Sequence, residues 1–232
     1  MAELTISPIG TELLDDPAAD PVTVAESLRN IARANRWFGG AAAVRFGLER
    51  TLGAVSSGQT ISLLDLGTGL GDLPLMAMRW GARRGIRLVP MGLELNRVAA
   101  RMAQQREVAT VVGCAGQPPV RDKSVDVVLV SQVAHHLHAD SVIRLFQRCD
   151  RLARRAVIVS DLRRHLLAAA SFRCGGRLLR FDPVTLSDGV TSIRRGFSRR
   201  ELLDLMNRAG VSGQVAYRPG FRVVATWLPD SA

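Results

Sequence analysis

At 232 residues and 47% hydrophobic content the chain can bury one sizeable core with a small extension, and no apolar run reaches the length needed to cross a bilayer. The formal net charge of +10 comes almost wholly from arginines spread along the chain, Lys123 being the only lysine, so anionic partners are permitted but no basic run marks a nucleic-acid surface. Cys114, Cys149 and Cys174 are odd in number and lack C-x-x-C spacing, which argues against a disulfide framework and a cysteine zinc site; with no basic, apolar leader, a cytoplasmic location is expected.

Residues 1–22, with Pro8, Gly10, Pro17 and Pro21, read as an irregular arm. Val24, Leu28 and Ile31 then recur at helical spacing from Thr23 to about Arg36. Trp37-Phe38-Gly39-Gly40 breaks that helix before a second one over Ala41 to Leu52, and Trp37 and Phe38 either pack the pair onto the main body or form a lid over a ligand. Ser56-Ser57-Gly58 is the expected boundary between an N-terminal arm and helical lid, 1–57, and a main domain, 58–232. Within the latter, strands at 60–66, 87–93, 108–113, 125–130 and 156–160 alternate with helices at 70–83, 96–105 and 140–152. Continuous apolar runs such as Val125 to Val130 are what strands buried on both faces of a parallel sheet look like. Residues 164–197 form an insert without a regular pattern, followed by a helix at 199–209 and strands at 211–217 and 221–227 split by Pro219-Gly220.

The first strand runs into a turn, Asp65-Leu66-Gly67-Thr68-Gly69-Leu70-Gly71-Asp72, in which three glycines let a ligand lie against the main chain. A dinucleotide fingerprint requires glycine where Asp72 stands, and a carboxylate at a helix start repels a pyrophosphate. S-adenosylmethionine has no phosphate and carries two cationic groups, so Asp65 and Asp72 favour it. In an open α/β sheet, ligands sit beyond the carboxyl ends of the strands, which makes the following segments one constellation. Glu94, followed by Leu95, can accept two ribose hydroxyl hydrogen bonds. Ser131-Gln132-Val133-Ala134-His135-His136-Leu137 brings two histidines near the reacting centre as candidate bases, His136 ahead of His135. Arg163 and Arg164 can hold an anionic group of the acceptor, Asp188 in the insert is expected to rim its mouth, and the apolar stretch from His165 to Phe172 suits an aromatic or lipid-tailed molecule.

The pattern D-x-G-x-G-x-G at Asp65, Gly67, Gly69 and Gly71 resembles motif I of the class I S-adenosylmethionine-dependent methyltransferases. The segment Gly113 to Asp126 is similar to that family's G-D-A-x-x-L-P-F-x-D-x-S-F-D, with Cys114 in place of the acid that faces adenine. A thiol accepts weakly, so adenine recognition is expected from the backbone around Ala115 and Gly116. Ser131 and Gln132 would then lie beside the methionyl part, with Thr68 in the donor turn. The His135-His136-Leu137 run and the Asp122 to Asp126 spacing look like the ubiquinone- and menaquinone-type enzymes and their relatives that methylate phenolic polyketides. The resemblance implies an α/β, Rossmann-like sheet of seven mostly parallel strands with helices on both faces and an N-terminal helical extension. It also implies S-adenosylmethionine as cofactor, SN2 methyl transfer to a small-molecule acceptor with proton removal, and no metal.

Three rival readings are weighed. An RNA methyltransferase suits the charge, but Ser131-Gln132-Val133-Ala134 replaces the N-P-P-Y or D-P-P-Y turn of amide-nitrogen enzymes, and no Pro-Cys nucleophile is present. A non-catalytic scaffold is supported only by Cys114. A nicotinamide oxidoreductase is opposed by Asp72 and by the lack of a Tyr-x-x-x-Lys pair.

Overall fold

The computed structural model describes residues 10, 12–16 and 18–229; the parts of the expected arm at 1–9, 11 and 17 lie outside the described residues. Seven strands form a single sheet: β1 (Thr60–Leu66), β2 (Arg87–Glu94), β3 (Ala109–Val112), β4 (Val125–Ser131), β5 (Ala153–Leu162), β6 (Gln214–Arg218) and β7 (Arg222–Trp227). Their spatial order is β3-β2-β1-β4-β5-β7-β6, all parallel except β7, which pairs antiparallel with both β5 and β6. The order reverses between β1 and β4, so the switch point falls beside the glycine turn.

Every residue of β4 is buried, because helices cover both sheet faces. On one face, α2 (Gly40–Leu52) and α3 (Asp72–Ala82) bury Val44, Leu48, Leu52 and Trp80 against Ile61, Leu63, Leu129 and Ile158. On the other, α5 (Ala139–Leu152) and α8 (Arg199–Arg208) bury Leu145, Phe146 and Leu202 against Val128, Val130, Val157 and Trp227. Helix α1 (Pro21–Trp37) starts where Asp20 accepts from the Thr23 amide at 2.8 Å, and its Val24 and Leu28 pack with Leu70 and, from α4 (Arg97–Gln104), Ala99. Gly39, at φ +81°, turns the chain directly into α2.

The insert at 164–197 is not irregular, as expected from its sequence, but forms two helices, α6 (Leu166–Leu178) and α7 (Pro183–Arg195). Their start signals are present: the His165 ring accepts from the Leu167 amide, and Asp182 accepts from the Thr185 amide with Pro183 as the first helical residue. The apolar period is obscured because Leu166 and Leu178 are 90% and 85% exposed while Gly176 and Thr185 are buried. Strand β5 is also longer than its apolar stretch, since Arg154 and Arg155 extend it at the start with exposed side chains.

Helix α2 lies so close to β5 that a Cβ on Gly47 would stand 2.4 Å from Ile158 Cγ2. A Gly→Ala change inside a helix gains about 1 kcal/mol of propensity, whereas overpacking a dense core costs about 1–3 kcal/mol. We expect Gly47→Ala to lower the free energy of urea unfolding by about 1 kcal/mol; a gain would contradict this packing.

Candidate functional site

The carboxyl ends of β1, β2, β4 and β5 open on a cavity of about 380 Å³, roofed by Ser27, Leu28, Ile31 and Asn35 of α1 and by Phe172, Asp188, Ser192 and Ile193 of α6 and α7. Asp188 and Phe172 are expected there from the sequence, whereas the α1 residues are not, because α1 shows only its apolar stripe. Asn35, a polar residue one turn before the Gly39-Gly40 break, is the signal the sequence offers.

One half of the cavity is built on the glycine turn. Gly67, at φ +78°, donates its amide to Leu93 O at 2.7 Å, and a Cβ there would fall 2.3 Å from Val133 Cγ2. A Cβ on Gly71 would meet Val108 Cγ2 at 2.9 Å, so these two glycines are required by the protein's own packing. Only Gly69 faces open space, its nearest neighbour being Leu28 Cδ2 at 3.8 Å; the approach expected along the whole turn is confined to that residue.

Three carboxylates surround the turn. Glu94 accepts from the Gly69 amide at 2.8 Å with one oxygen and from the Asn96 amide at 2.9 Å with the other, so it fixes the turn and the start of α4. Asp72 accepts from Asn35 Nδ2 at 3.0 Å. Asp65 accepts from the Thr68 hydroxyl at 3.0 Å through Oδ2, while its buried Oδ1 has no partner among the described residues. Burial pushes the Asp65 carboxyl up to about 7; the Thr68 hydrogen bond pulls it down and the charges of Asp72 and Glu94 push it further up. Burial likewise raises Asp72 and Glu94, against their hydrogen bonds from Asn35 and from the Asn96 and Gly69 amides. An orphaned oxygen among three desolvated carboxylates suits a cationic ligand and opposes a phosphate.

Leu95, Cys114 and Ala115 line the edge of this half, while Gly116 stands back and donates its amide to Cys114 Sγ at 3.4 Å. Ser131, with a buried unpartnered hydroxyl, and Gln132, in left-handed backbone at φ +57°, line its centre.

The other half centres on His135. Its Nδ1 lies 2.6 Å from Asp161 Oδ1, and both side chains are almost fully buried. Burial alone would raise Asp161, but the His135 ring, its hydrogen bond and the Leu162 amide hold it below the usual carboxylate range. An ionised carboxylate only accepts, so Nδ1 carries a proton and the other ring nitrogen, Nε2, has no partner among the described residues. His136 stacks against His135 at 4.3 Å, and its Nδ1 lies 3.2 Å from Arg195 Nη1, which can only donate. Glu12 closes this side, accepting from Arg195 Nη1 at 3.0 Å and Ser192 Oγ at 2.8 Å. Ligand atoms of Glu12, His135 and His136 lie within 4.8 Å of one another, but the buried Arg195 guanidinium already binds two of the three, so the donor set is matched to that cation and not to a metal.

The cavity gathers Asp65, Gly67, Thr68, Gly69, Asp72, Glu94, Leu95, Cys114, Ala115, Ser131, Gln132, His135, His136 and Asp188 of the expected residues. It does not include Trp37, Arg163 or Arg164, which corrects their assignment to the acceptor. Trp37 is 64% exposed, with the Arg36 guanidinium over its ring. After Leu162 the chain is held beside Phe197 and Phe221, which directs Arg163 onto the Tyr217 ring at 4.0 Å and Arg164 into an ion pair with Glu201. Asp188 lines the cavity but accepts from the Leu13 amide at 2.8 Å, so it anchors the arm.

A family model described as a methyltransferase domain matches residues 64–160. The matched residues run from β1 into β5 and include the glycine turn and Glu94. Among curated proteins no match is found. The chain's fold is similar to that of a SAM-dependent methyltransferase from Aquifex aeolicus, at TM-score 0.60 and 13% identity over 91% of this chain and 99% of that one. The plantazolicin methyltransferase in complex with S-adenosylhomocysteine aligns at TM-score 0.67 and 13% identity, covering 94% of both chains. An O-methyltransferase from neocarzinostatin biosynthesis, in complex with S-adenosylhomocysteine and 1,4-dihydroxy-2-naphthoic acid, aligns at TM-score 0.65 and 18% identity over 94% of this chain and 61% of that one. Among the described residues no helix is long and apolar enough to cross a membrane.

The Asp65 carboxyl sits near 3.8 when the chain is unfolded and about 7 when folded, so the folded state holds the extra proton between those values. Its contribution to stability is complete below about pH 4 and is lost as pH rises through 7, by at most on the order of 4 kcal/mol. We therefore expect ligand-free Asp65→Asn to lose less thermal stability than the wild type between about pH 5 and pH 8; parallel melting curves would contradict this environment.

Proposed function

We propose that this chain transfers the methyl group of S-adenosylmethionine to a hydroxyl of a small phenolic, quinol or polyketide-like acceptor bound between His135 and the α6–α7 roof, and that it works in the cytoplasm. The observation that carries the reading is the Asp161–His135 pair, whose remaining ring nitrogen, Nε2, is buried in the cavity wall without a partner among the described residues. The Asp65, Asp72 and Glu94 carboxylates with the open face of Gly69 would hold the donor, Glu94 reaching the ribose hydroxyls and Ala115 the adenine. When bound, S-adenosylmethionine supplies an electrophilic methyl on a sulfonium. The chain's own contribution is to align the acceptor hydroxyl and to take its proton on His135 Nε2, while Asp161 keeps the ring oriented and stabilises the imidazolium that results. His136, which the sequence ranks first, is engaged with Arg195 through Nδ1 and is the weaker candidate.

The acceptor half fits a flat aromatic molecule, with Leu162, Phe172 and Ile193 among its walls. The naphthoic acid bound by the neocarzinostatin enzyme is of that kind and supports the reading by likeness of fold. The three free cysteines agree with a reducing compartment.

We expect His135→Ala and Asp161→Asn to lower kcat roughly 10²- to 10⁴-fold on a free phenol or quinol that the wild type methylates, the usual range for a positioned general base. S-adenosylhomocysteine affinity should stay within about twofold and His136→Ala should cost less than about tenfold; a His135→Ala enzyme with near wild-type kcat would overturn the assignment.

A further inference from the structure

Arg222, at the start of β7, is 3% exposed and lines the cavity. Its Nε donates to Phe38 O at 3.0 Å and its Nη1 to Gln132 Oε1 at 2.8 Å, which leaves Nη2 without a partner among the described residues. Among those residues no carboxylate pairs with it. The opposite charge that acts on it is Asp161, whose Oδ1 accepts from His135 Nδ1 at 2.6 Å and the Leu162 amide at 2.7 Å and whose Oδ2 accepts from the His135 amide at 3.3 Å. Burial lowers the Arg222 guanidinium to about 10, against the pull of Asp161, so it stays charged near neutrality. Buried charges in proteins are paired almost without exception, because an uncompensated ion loses several kcal/mol of hydration. Asp161 offsets part of that charge but makes no hydrogen bond to the guanidinium, so a desolvated fork whose Nη2 lacks a partner among the described residues and which lines a ligand cavity marks the place of an anionic group that the ligand brings.

We propose that Arg222 is the carboxylate-recognition residue of the acceptor subsite, and that the acceptor is an aromatic hydroxy-carboxylate rather than a neutral phenol. This rests on the methyltransferase reading above and narrows its substrate class. Two features place the anion on the acceptor and not on the donor's amino-acid tail. Arg222 is paired in register with Leu162, in the wall that carries Phe172 and the Asp161–His135 pair. Gln132 stands between it and the donor half, its amide nitrogen donating onward to Asn35 Oδ1 at 2.6 Å and Asn35 to Asp72 at 3.0 Å. The guanidinium is thus pre-oriented by a relay that ends at the donor's acidic edge, where no further anion is wanted. Arginine suits the task because its planar fork meets a carboxylate with two parallel donors.

The test is competitive binding to the wild-type protein saturated with S-adenosylhomocysteine, with hydroxynaphthoate and naphthol as the matched pair. A charge-assisted bond makes the acid bind roughly tenfold to a hundredfold more tightly, and Arg222→Gln removes that preference while leaving naphthol within about twofold. Arg222→Lys, which keeps the charge, retains part of it, and both variants are checked for unchanged S-adenosylhomocysteine affinity. Equal binding of acid and phenol by the wild type overturns the proposal without reference to any variant and leaves the methyltransferase reading standing. A loss in Arg222→Gln confined to S-adenosylhomocysteine overturns it by assigning the anion to the donor's tail. Failure of the wild type to bind S-adenosylhomocysteine at all refutes the underlying reading instead.

Discussion

When β1 and its following turn fold, Asp65 leaves water, and Asp72 and Glu94 are drawn in beside it within one short stretch of chain and its neighbour strand. Nothing in the turn itself neutralises the three. Against that burial stand hydrogen bonds from the Thr68 hydroxyl, the Gly69 and Asn96 amides and Asn35 and the charge of Arg106 on Asp72, while Asp65 keeps one oxygen without a partner among the described residues. The ligand-free protein therefore holds an electrostatic debt at the switch point of its sheet, which the sulfonium and ammonium groups of the proposed donor would discharge. The same constraint explains why a dinucleotide is unwelcome in a turn that otherwise looks suited to one.

The remaining polar groups of the site follow from that centre. Asn35 must face Asp72, which fixes the rotation of α1 and makes the helix a roof instead of a free arm. Gln132, donating to Asn35, must take left-handed backbone just after β4, and it then orients Arg222 on the antiparallel strand. A line of hydrogen bonds thus crosses the cavity from the donor carboxylates to the acceptor guanidinium, touching α1, β4 and β7. On the far side of β4's end, Asp161 fixes His135 in the tautomer that can accept a proton. In the proposed reading, the groups for donor, acceptor and base are held by side chains whose own orientations are determined by one another.

Much of this was legible in the chain. The alternation of apolar runs and helical spacing set out all seven strands in order, because a central strand such as β4, buried at every position, reads as a nearly continuous apolar run. Asp65, Glu94 and the glycines were readable because strand ends and backbone-demanding turns leave local marks. The insert was not, since α6 hides Ala168 and Gly176 inward and leaves Leu166, Leu167 and Leu178 outward, and α7 buries Thr185, Ser192 and Arg195 beside Val190 and Ile193, contrary to the rule by which an amphipathic helix is found. Arg163 and Arg164 were misplaced for a related reason: the strand end was right, but the chain's turn beneath Phe197 and Phe221 aims them outward, and that depends on partners distant in sequence. Arg222 went unnoticed among many arginines, because what distinguishes it is burial without a carboxylate partner, and burial belongs to the fold alone.

The central claim is that desolvated carboxylates await a cation, and its most direct test is the proton count on donor binding. Titration calorimetry with S-adenosylmethionine in two buffers of different ionisation enthalpy, at about pH 6, measures it. Because Asp65 is raised to about 7 in the empty site, binding of the cationic donor must drive a proton off it, and release approaching one proton is expected, fading above about pH 8 and missing in Asp65→Asn. Tight binding with no proton exchange at either pH would contradict the account, and preferential binding of NAD would contradict it more deeply.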